Sequence, residues 1–138
     1  MGARKSSTRA YLELCRTYSI EASHQLLHAP KGSVCRRLHG HSWRFDVHVA
    51  GAVNETTGWV IDYHEIDAAW KLIHEQLDHQ HLNEVEGLDN PTSELLAVWV
   101  WERLAPRLAG LLCLTVHETC TARCSYWGPP PRGPKAEP

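Results

Sequence analysis

Residues 35–41 read Cys-Arg-Arg-Leu-His-Gly-His, and a single glycine separates His39 from His41. In an extended backbone side chains alternate, so residues i and i+2 point to one side. Two imidazoles on one face can grip one cation. The intervening Gly40 crowds neither and tolerates unusual dihedrals. Zinc favours imidazole nitrogen, and a catalytic zinc keeps three protein ligands and an open position. This stretch supplies two, so a third must come from elsewhere. His24, at the end of an upstream strand, is the candidate, with His28 as its rival; spacing alone does not separate them. Cys35, four residues before His39, is close enough to overhang the same site.

Ten histidines in 138 residues make a chance His-x-His pair common, so the weight falls on what accompanies it. In Leu77-Asp78-His79-Gln80-His81-Leu82-Asn83, an acid precedes an imidazole at a helix end. Histidine titrates near neutrality and suits proton transfer, and Asp78 could tune His79. A histidine there also complements the helix dipole without any chemistry. In His117-Glu118-Thr119 a carboxylate closes a strand. It could accept two parallel N–H bonds from an amidine-like ligand edge, a strong and directional pairing, or simply face solvent.

These residues need elements to position them. Residues 11–20 read as a strand continuing towards His24, and residues 29–33 as the loop that delivers Cys35. Trp43, Phe45, Val47 and Val49 alternate with Arg44, Asp46 and His48, a half-buried strand closing at Gly51. A turn over residues 54–58 and a short extended piece, Trp59-Val60-Ile61-Asp62, lead to a helix over about residues 64–78. Its stripe is Ile66, Ala69, Trp70, Ile73 and Leu77. Asp89-Asn90-Pro91-Thr92-Ser93-Glu94 combines cap, proline and early acid as a second helix start, with that helix ending near Leu104. Leu112, Leu114 and Val116 alternate with Cys113, Thr115 and His117 in a strand whose hairpin partner spans residues 123–127. The order predicts an α+β fold: a four-stranded antiparallel sheet with two helices on one face. Its open edges are a liability unless paired, which predicts a homo-oligomer.

At 138 residues and 43% hydrophobic content, one domain with a real core is expected over residues 10–128. Polar residues 1–9 and proline-rich residues 129–138 read as tails. Fourteen basic and 16 acidic residues, net charge -2, argue against a nucleic-acid surface. No run of eighteen apolar residues predicts a membrane span, and no signal peptide is visible. Residues 1–6 fit the loose myristoylation pattern at Gly2, but a basic polar tail explains them equally well. Five cysteines, an odd number without a Cys-x-x-Cys pair, fit reduced thiols in the cytoplasm.

Taken together, the motifs resemble the 6-pyruvoyltetrahydropterin synthase superfamily across most of residues 10–128. They are His24, Cys35 with His39-Gly40-His41, Gly58 with Asp62, Leu77-Asp78-His79 with Leu82-Asn83, Pro91-Thr92-Ser93-Glu94, and His117-Glu118-Thr119. Three residues between Cys35 and His39 resemble the bacterial 6-carboxytetrahydropterin synthase branch, where the pyruvoyl-forming branch typically carries a longer gap. Ser42 and Leu95 depart from asparagines frequent at those positions.

The resemblance implies Zn2+ held by His24, His39 and His41. It implies Cys35 as proton acceptor and a relay through His79, Asp78 and Glu118. It also implies a pterin anchored by Glu118 with Thr92 and Ser93 nearby. It implies the tunnelling fold, with trimers closing a barrel, two trimers stacking into a hexamer, and active sites between subunits. The expected substrate is 7,8-dihydroneopterin triphosphate, converted to 6-carboxytetrahydropterin with release of acetaldehyde and triphosphate in queuosine or deazapurine precursor synthesis. A pyruvoyl-forming or side-chain-cleaving relative, and a non-catalytic zinc or pterin binder, are the alternatives.

Overall fold

A computed structural model describes residues 10–130. The proposed tail at 1–9, most of that at 129–138, and the Gly2 motif lie outside the described residues. Strand β1 (Tyr11–His24) pairs along its whole length with the antiparallel β2 (His39–Ala52). Helix α1 (Tyr63–Leu77) follows, then β3 (Gln80–His81), α2 (Ser93–Leu104), β4 (Leu111–His117) and β5 (Arg123–Tyr126).

The sheet has five strands in the order β3-β1-β2-β4-β5, and β3 runs parallel to β1. This corrects the expected four-stranded antiparallel sheet to a five-stranded mixed one. The cause is local. His79 adopts a left-handed φ of 57° directly after α1, which turns the chain so that Gln80 pairs with Ala22 and His81 with Ser23. Few non-glycine residues accept that conformation. Here the His79 N–H donates to Glu21 O at 2.6 Å, and Asp78 Oδ1 accepts from Glu21 N at 2.9 Å.

The core forms where one sheet face meets both helices. Trp43, Phe45, Val47 and Val49 are buried from β2, together with Ile20 and Ala22 from β1 and Leu114 and Val116 from β4. The α1 stripe of Ile66, Ala69, Trp70, Ile73 and Leu77 is buried against them, as are Leu96, Ala97, Trp99, Val100 and Leu104 of α2. Leu112 departs from the expected alternation. The β2–β4 register shifts between His48 and Val49, so Leu111 pairs with Val49 and Cys113 with His48. Leu112 is the extra residue of this bulge and faces outward at 36% exposure. Residues 59–62 form no strand; Asp62 instead caps α1, its side chain accepting from His64 N at 2.9 Å. No helix among the described residues is long and apolar enough to cross a membrane.

Candidate metal centre and active site

Three core-facing strand rows end in polar side chains at the same end of the sheet. On β1 the row Ile20, Ala22 continues to His24; on β2 Phe45, Trp43 continues to His41 and His39; on β4 Leu114, Val116 continues to Glu118 just past the strand. His24 and His39 are register partners, as are Ala22 and His41. The pleat that buries the core therefore also drives three imidazoles and a carboxylate together. One ligand atom from each of His24, His39, His41 and Glu118 lies within 4.8 Å of the others. Trp43 packs edge-on against both His24 and His41, with ring centroids 5.1 and 5.2 Å away, and forms the floor. His28 is exposed and outside the cluster. The separating signal was phase: His24 follows Ile20 and Ala22 at period two, whereas His28 lies beyond the strand.

The hydrogen bonds fix which nitrogen faces inward. His24 Nδ1 lies 2.8 Å from Pro91 O, and His39 Nδ1 lies 2.7 Å from Arg37 O. A carbonyl only accepts, so both Nδ1 atoms carry the proton and both Nε2 atoms carry a lone pair. Those two Nε2 atoms are 2.8 Å apart. Facing lone pairs repel unless a proton or a cation lies between them. His41 Nε2 is sealed from solvent without a hydrogen-bond partner, although Glu118 Oε1 is 3.2 Å away. The same oxygen is 3.5 Å from His24 Nε2. His24 is fully buried, and burial pushes its pKa below the ordinary histidine value against the opposing Pro91 hydrogen bond. Tautomers fixed by carbonyls at His24 and His39, with their Nε2 lone pairs turned inward beside an unpartnered His41 Nε2, are what a zinc-type cation requires. The residues present therefore fit a metal.

Supporting contacts explain motifs whose role spacing did not disclose. The Asn83 side chain clamps the residue after His24, accepting from Gln25 N and donating to Gln25 O, both at 2.8 Å. Leu26 N donates to Cys35 O at 2.8 Å and closes the loop between the two strands. Cys35 then sits in a 3-10 turn (Val34–Arg36), half-buried. It shares a cavity of about 460 Å³ with Val34, Arg37, Leu38, His39, His41 and Glu118. Gly40 has no positive φ, and a Cβ there would meet Ala22 O at an ordinary 3.5 Å. Its bareness instead leaves room in a second cavity, of about 450 Å³, which Gly40 and His41 line with His79, Glu21, Ser42 and His81.

His79 lines that second cavity, with Asp78 bonded behind it. His79 Nδ1 lies 2.8 Å from Asp78 Oδ2, which assigns the proton to Nδ1 and leaves Nε2 free. Asp78 sits below the usual carboxylate range, first because Glu21 N–H binds it and then because His79 does. Within one chain, Cys35 and His79 thus line separate cavities that meet at His41. Thr92 and Ser93 line neither. The Thr92 hydroxyl caps α2 by accepting from Leu95 N at 3.1 Å, and Ser93 Oγ donates to Glu94 at 3.2 Å. Pro91, just before them, contributes through its carbonyl to His24.

A family profile described as 6-pyruvoyl tetrahydropterin synthase matches residues 13–129. The chain belongs to this family. A 6-pyruvoyl tetrahydropterin synthase of Caenorhabditis elegans has the same fold, with a TM-score of 0.82 over 88% of this chain and 98% of that one, at 25% identity. The chain is also 40% identical to a 6-carboxy-5,6,7,8-tetrahydropterin synthase of Synechocystis, over 83% of this chain and 92% of the relative. It is 35% identical to a dihydroneopterin monophosphate aldolase of Pyrococcus furiosus, over 64% of this chain and 75% of that relative. The name of the Synechocystis relative agrees with the branch expected from the short Cys35–His39 spacing. Both relatives are named for pterin chemistry, and the synthase family to which the chain belongs cleaves pterin side chains.

Proposed function

We propose that the chain is a zinc-dependent lyase that converts 7,8-dihydroneopterin triphosphate and one water to 6-carboxytetrahydropterin, acetaldehyde and triphosphate. The observation that carries this is one cavity lined by a thiol, two inward-facing imidazoles of the metal cluster and a carboxylate. The 40% identity to a 6-carboxytetrahydropterin synthase supports the choice of product.

His24, His39 and His41 would hold the zinc, which as a Lewis acid would acidify the hydroxyls of the substrate side chain. Glu118 offers its carboxylate to the N–H edge of the pterin ring and so orients the side chain. Cys35, on the cavity wall, accepts a proton from the side-chain carbon. Asp78 holds His79 in the tautomer with a free Nε2, which takes up or returns a proton. We place Thr92 and Ser93 beside the ring only through assembly, since neither reaches the cavities of its own chain.

Assembly would also bring the Asp78–His79 pair of one copy to the Cys35 cavity of another. The outer edges of β5 and of residues 11–20 of β1 have no strand partner among the described residues. Pairing these edges between copies would close a barrel as a trimer, or as a hexamer of two stacked trimers. Sedimentation showing a stable monomer at micromolar concentration would contradict this. The unpaired thiols among the described residues suit the cytoplasm, and the product suits deazapurine or queuosine precursor synthesis.

The identity to a dihydroneopterin monophosphate aldolase favours a second reading, carbon–carbon cleavage that leaves a hydroxymethylpterin. Mass analysis of the products from 7,8-dihydroneopterin triphosphate and monophosphate separates the two. 6-Carboxytetrahydropterin with acetaldehyde supports the first; a 6-pyruvoyl or hydroxymethyl product replaces it, and unchanged substrate favours a non-catalytic binder.

A further inference from the structure

We propose that Arg37 receives the phosphate end of the substrate, and that the tandem arginines divide into one structural and one ligand-binding residue. This rests on the polyphosphate ester assigned above.

Arg36 is committed elsewhere. Its Nη1 donates to the carbonyls of Leu27 and Ala29, the latter at 2.9 Å, and so pins the loop after β1. Arg37 has the opposite character. Its backbone is fixed from both sides: its N–H donates to Val34 O at 3.0 Å, and its carbonyl accepts from His39 Nδ1 at 2.7 Å. Arg37 is exposed and is one of the residues lining the Cys35 cavity. Among the described residues, the Arg37 guanidinium takes part in no ion pair or hydrogen bond.

The cavity lining therefore includes one guanidinium residue, Arg37, on an anchored backbone, and one carboxylate, Glu118, together with Cys35, His39 and His41. A substrate with an N–H-rich ring at one end and phosphates at the other fits that polarity. Its ring meets Glu118, its phosphates meet Arg37, and its hydroxyl-bearing carbons fall to the cluster and the thiol. A guanidinium matches phosphate with two parallel N–H bonds, and an anchored backbone lowers the ordering cost of forming them. An isolated arginine in a solvated loop would show neither the anchoring nor the shared cavity.

The test compares zinc-loaded wild type, Arg37→Ala and Arg37→Lys, titrated by calorimetry with inorganic tripolyphosphate and separately with phosphate-free 7,8-dihydroneopterin. Zinc content is measured in every sample. The carbonyl that orients His39 belongs to the backbone and survives both substitutions, so zinc retention is expected. Loss of a charge-assisted pair predicts that Arg37→Ala binds tripolyphosphate about 10-fold more weakly or worse. Arg37→Lys should lose less, and dihydroneopterin affinity should stay within about 2-fold, a margin well below one such bond. Tripolyphosphate also chelates zinc, so the same titrations are repeated on zinc-free protein, where the same loss in Arg37→Ala is expected.

Unchanged tripolyphosphate affinity in Arg37→Ala overturns the inference. So do equal losses for both ligands, or a wild type that binds no tripolyphosphate. Zinc loss from Arg37→Ala also overturns it, unless Arg37→Lys keeps zinc and still shows selective weakening. Binding is read without turnover, so the two proposals fail separately. Wild type yielding another product would remove the reaction assignment and leave an Arg37 anion site standing.

Discussion

Replacing Cys35 by alanine separates a catalytic thiol from a packing residue. The 3-10 turn that carries it buries none of its residues, and Cys35 is only half-buried. Its backbone bonds survive the change: its N–H still reaches Ser33 Oγ at 3.2 Å, and its carbonyl still accepts from Leu26 N at 2.8 Å. Only a partly exposed sulfur is lost, which places the stability cost below about 1 kcal/mol. For a chain of this size that lowers Tm by no more than about 5 °C. Removing a general base typically lowers the rate by about 10²–10⁴-fold, equivalent to roughly 3–5 kcal/mol on the barrier. The two magnitudes do not overlap. Paired thermal melts and initial rates on zinc-loaded wild type and Cys35→Ala should show a small Tm shift with turnover down at least about 100-fold. A large drop in Tm, with normal turnover per folded molecule, would refute the assignment.

Three other outcomes follow from the site. His39→Ala should lose most of its zinc by metal analysis, because it removes one of two facing Nε2 atoms; full retention would detach the cluster from metal binding. Asn83→Ala removes two hydrogen bonds to Gln25, at an expected cost of about 1–3 kcal/mol, and should weaken zinc affinity through His24; an unaltered melt with unaltered affinity would show that the clamp is idle. The pKa of His24 is depressed by burial, so the neutral form is favoured on folding. Its contribution is therefore fully present above the unfolded value near 6.5 and is lost as pH falls through the folded value. The metal-free protein should melt at a nearly constant temperature above pH 7 and at a lower one as pH falls below that, and the zinc-loaded protein should release its metal on acidification. A Tm that rises on acidification would reverse the sign and contradict the reading.

The sequence made much of this legible, for physical reasons that also explain what it hid. The β2 alternation and the α1 stripe are long periodic signals set by burial; α1 lies within about a residue of its expected bounds, whereas β2 begins at His39, before the alternation from Trp43 discloses it. His24 is nameable from its place at the end of a strand and from the family resemblance, and the structure separates it from His28 by keeping it in phase with the buried Ile20 and Ala22. A two-residue strand has no period to read, so β3 was missed; its cause, the left-handed His79, shows only in the backbone. The bulge at Leu112 breaks an alternation that composition alone would continue. Pro91 and Arg37 orient the histidines through carbonyls, which every residue possesses, so no residue type could announce them. The tandem arginines look alike as letters, and only hydrogen bonding separates Arg36 from Arg37.

Three imidazoles forming one metal centre should be what pterin turnover depends on. The most direct test is a zinc titration of metal-free protein, following 6-carboxytetrahydropterin formation from 7,8-dihydroneopterin triphosphate. No product is expected without metal, then a linear rise with a sharp break at one zinc per chain. Product formation by rigorously metal-free protein, or full zinc occupancy with no pterin product, would contradict it.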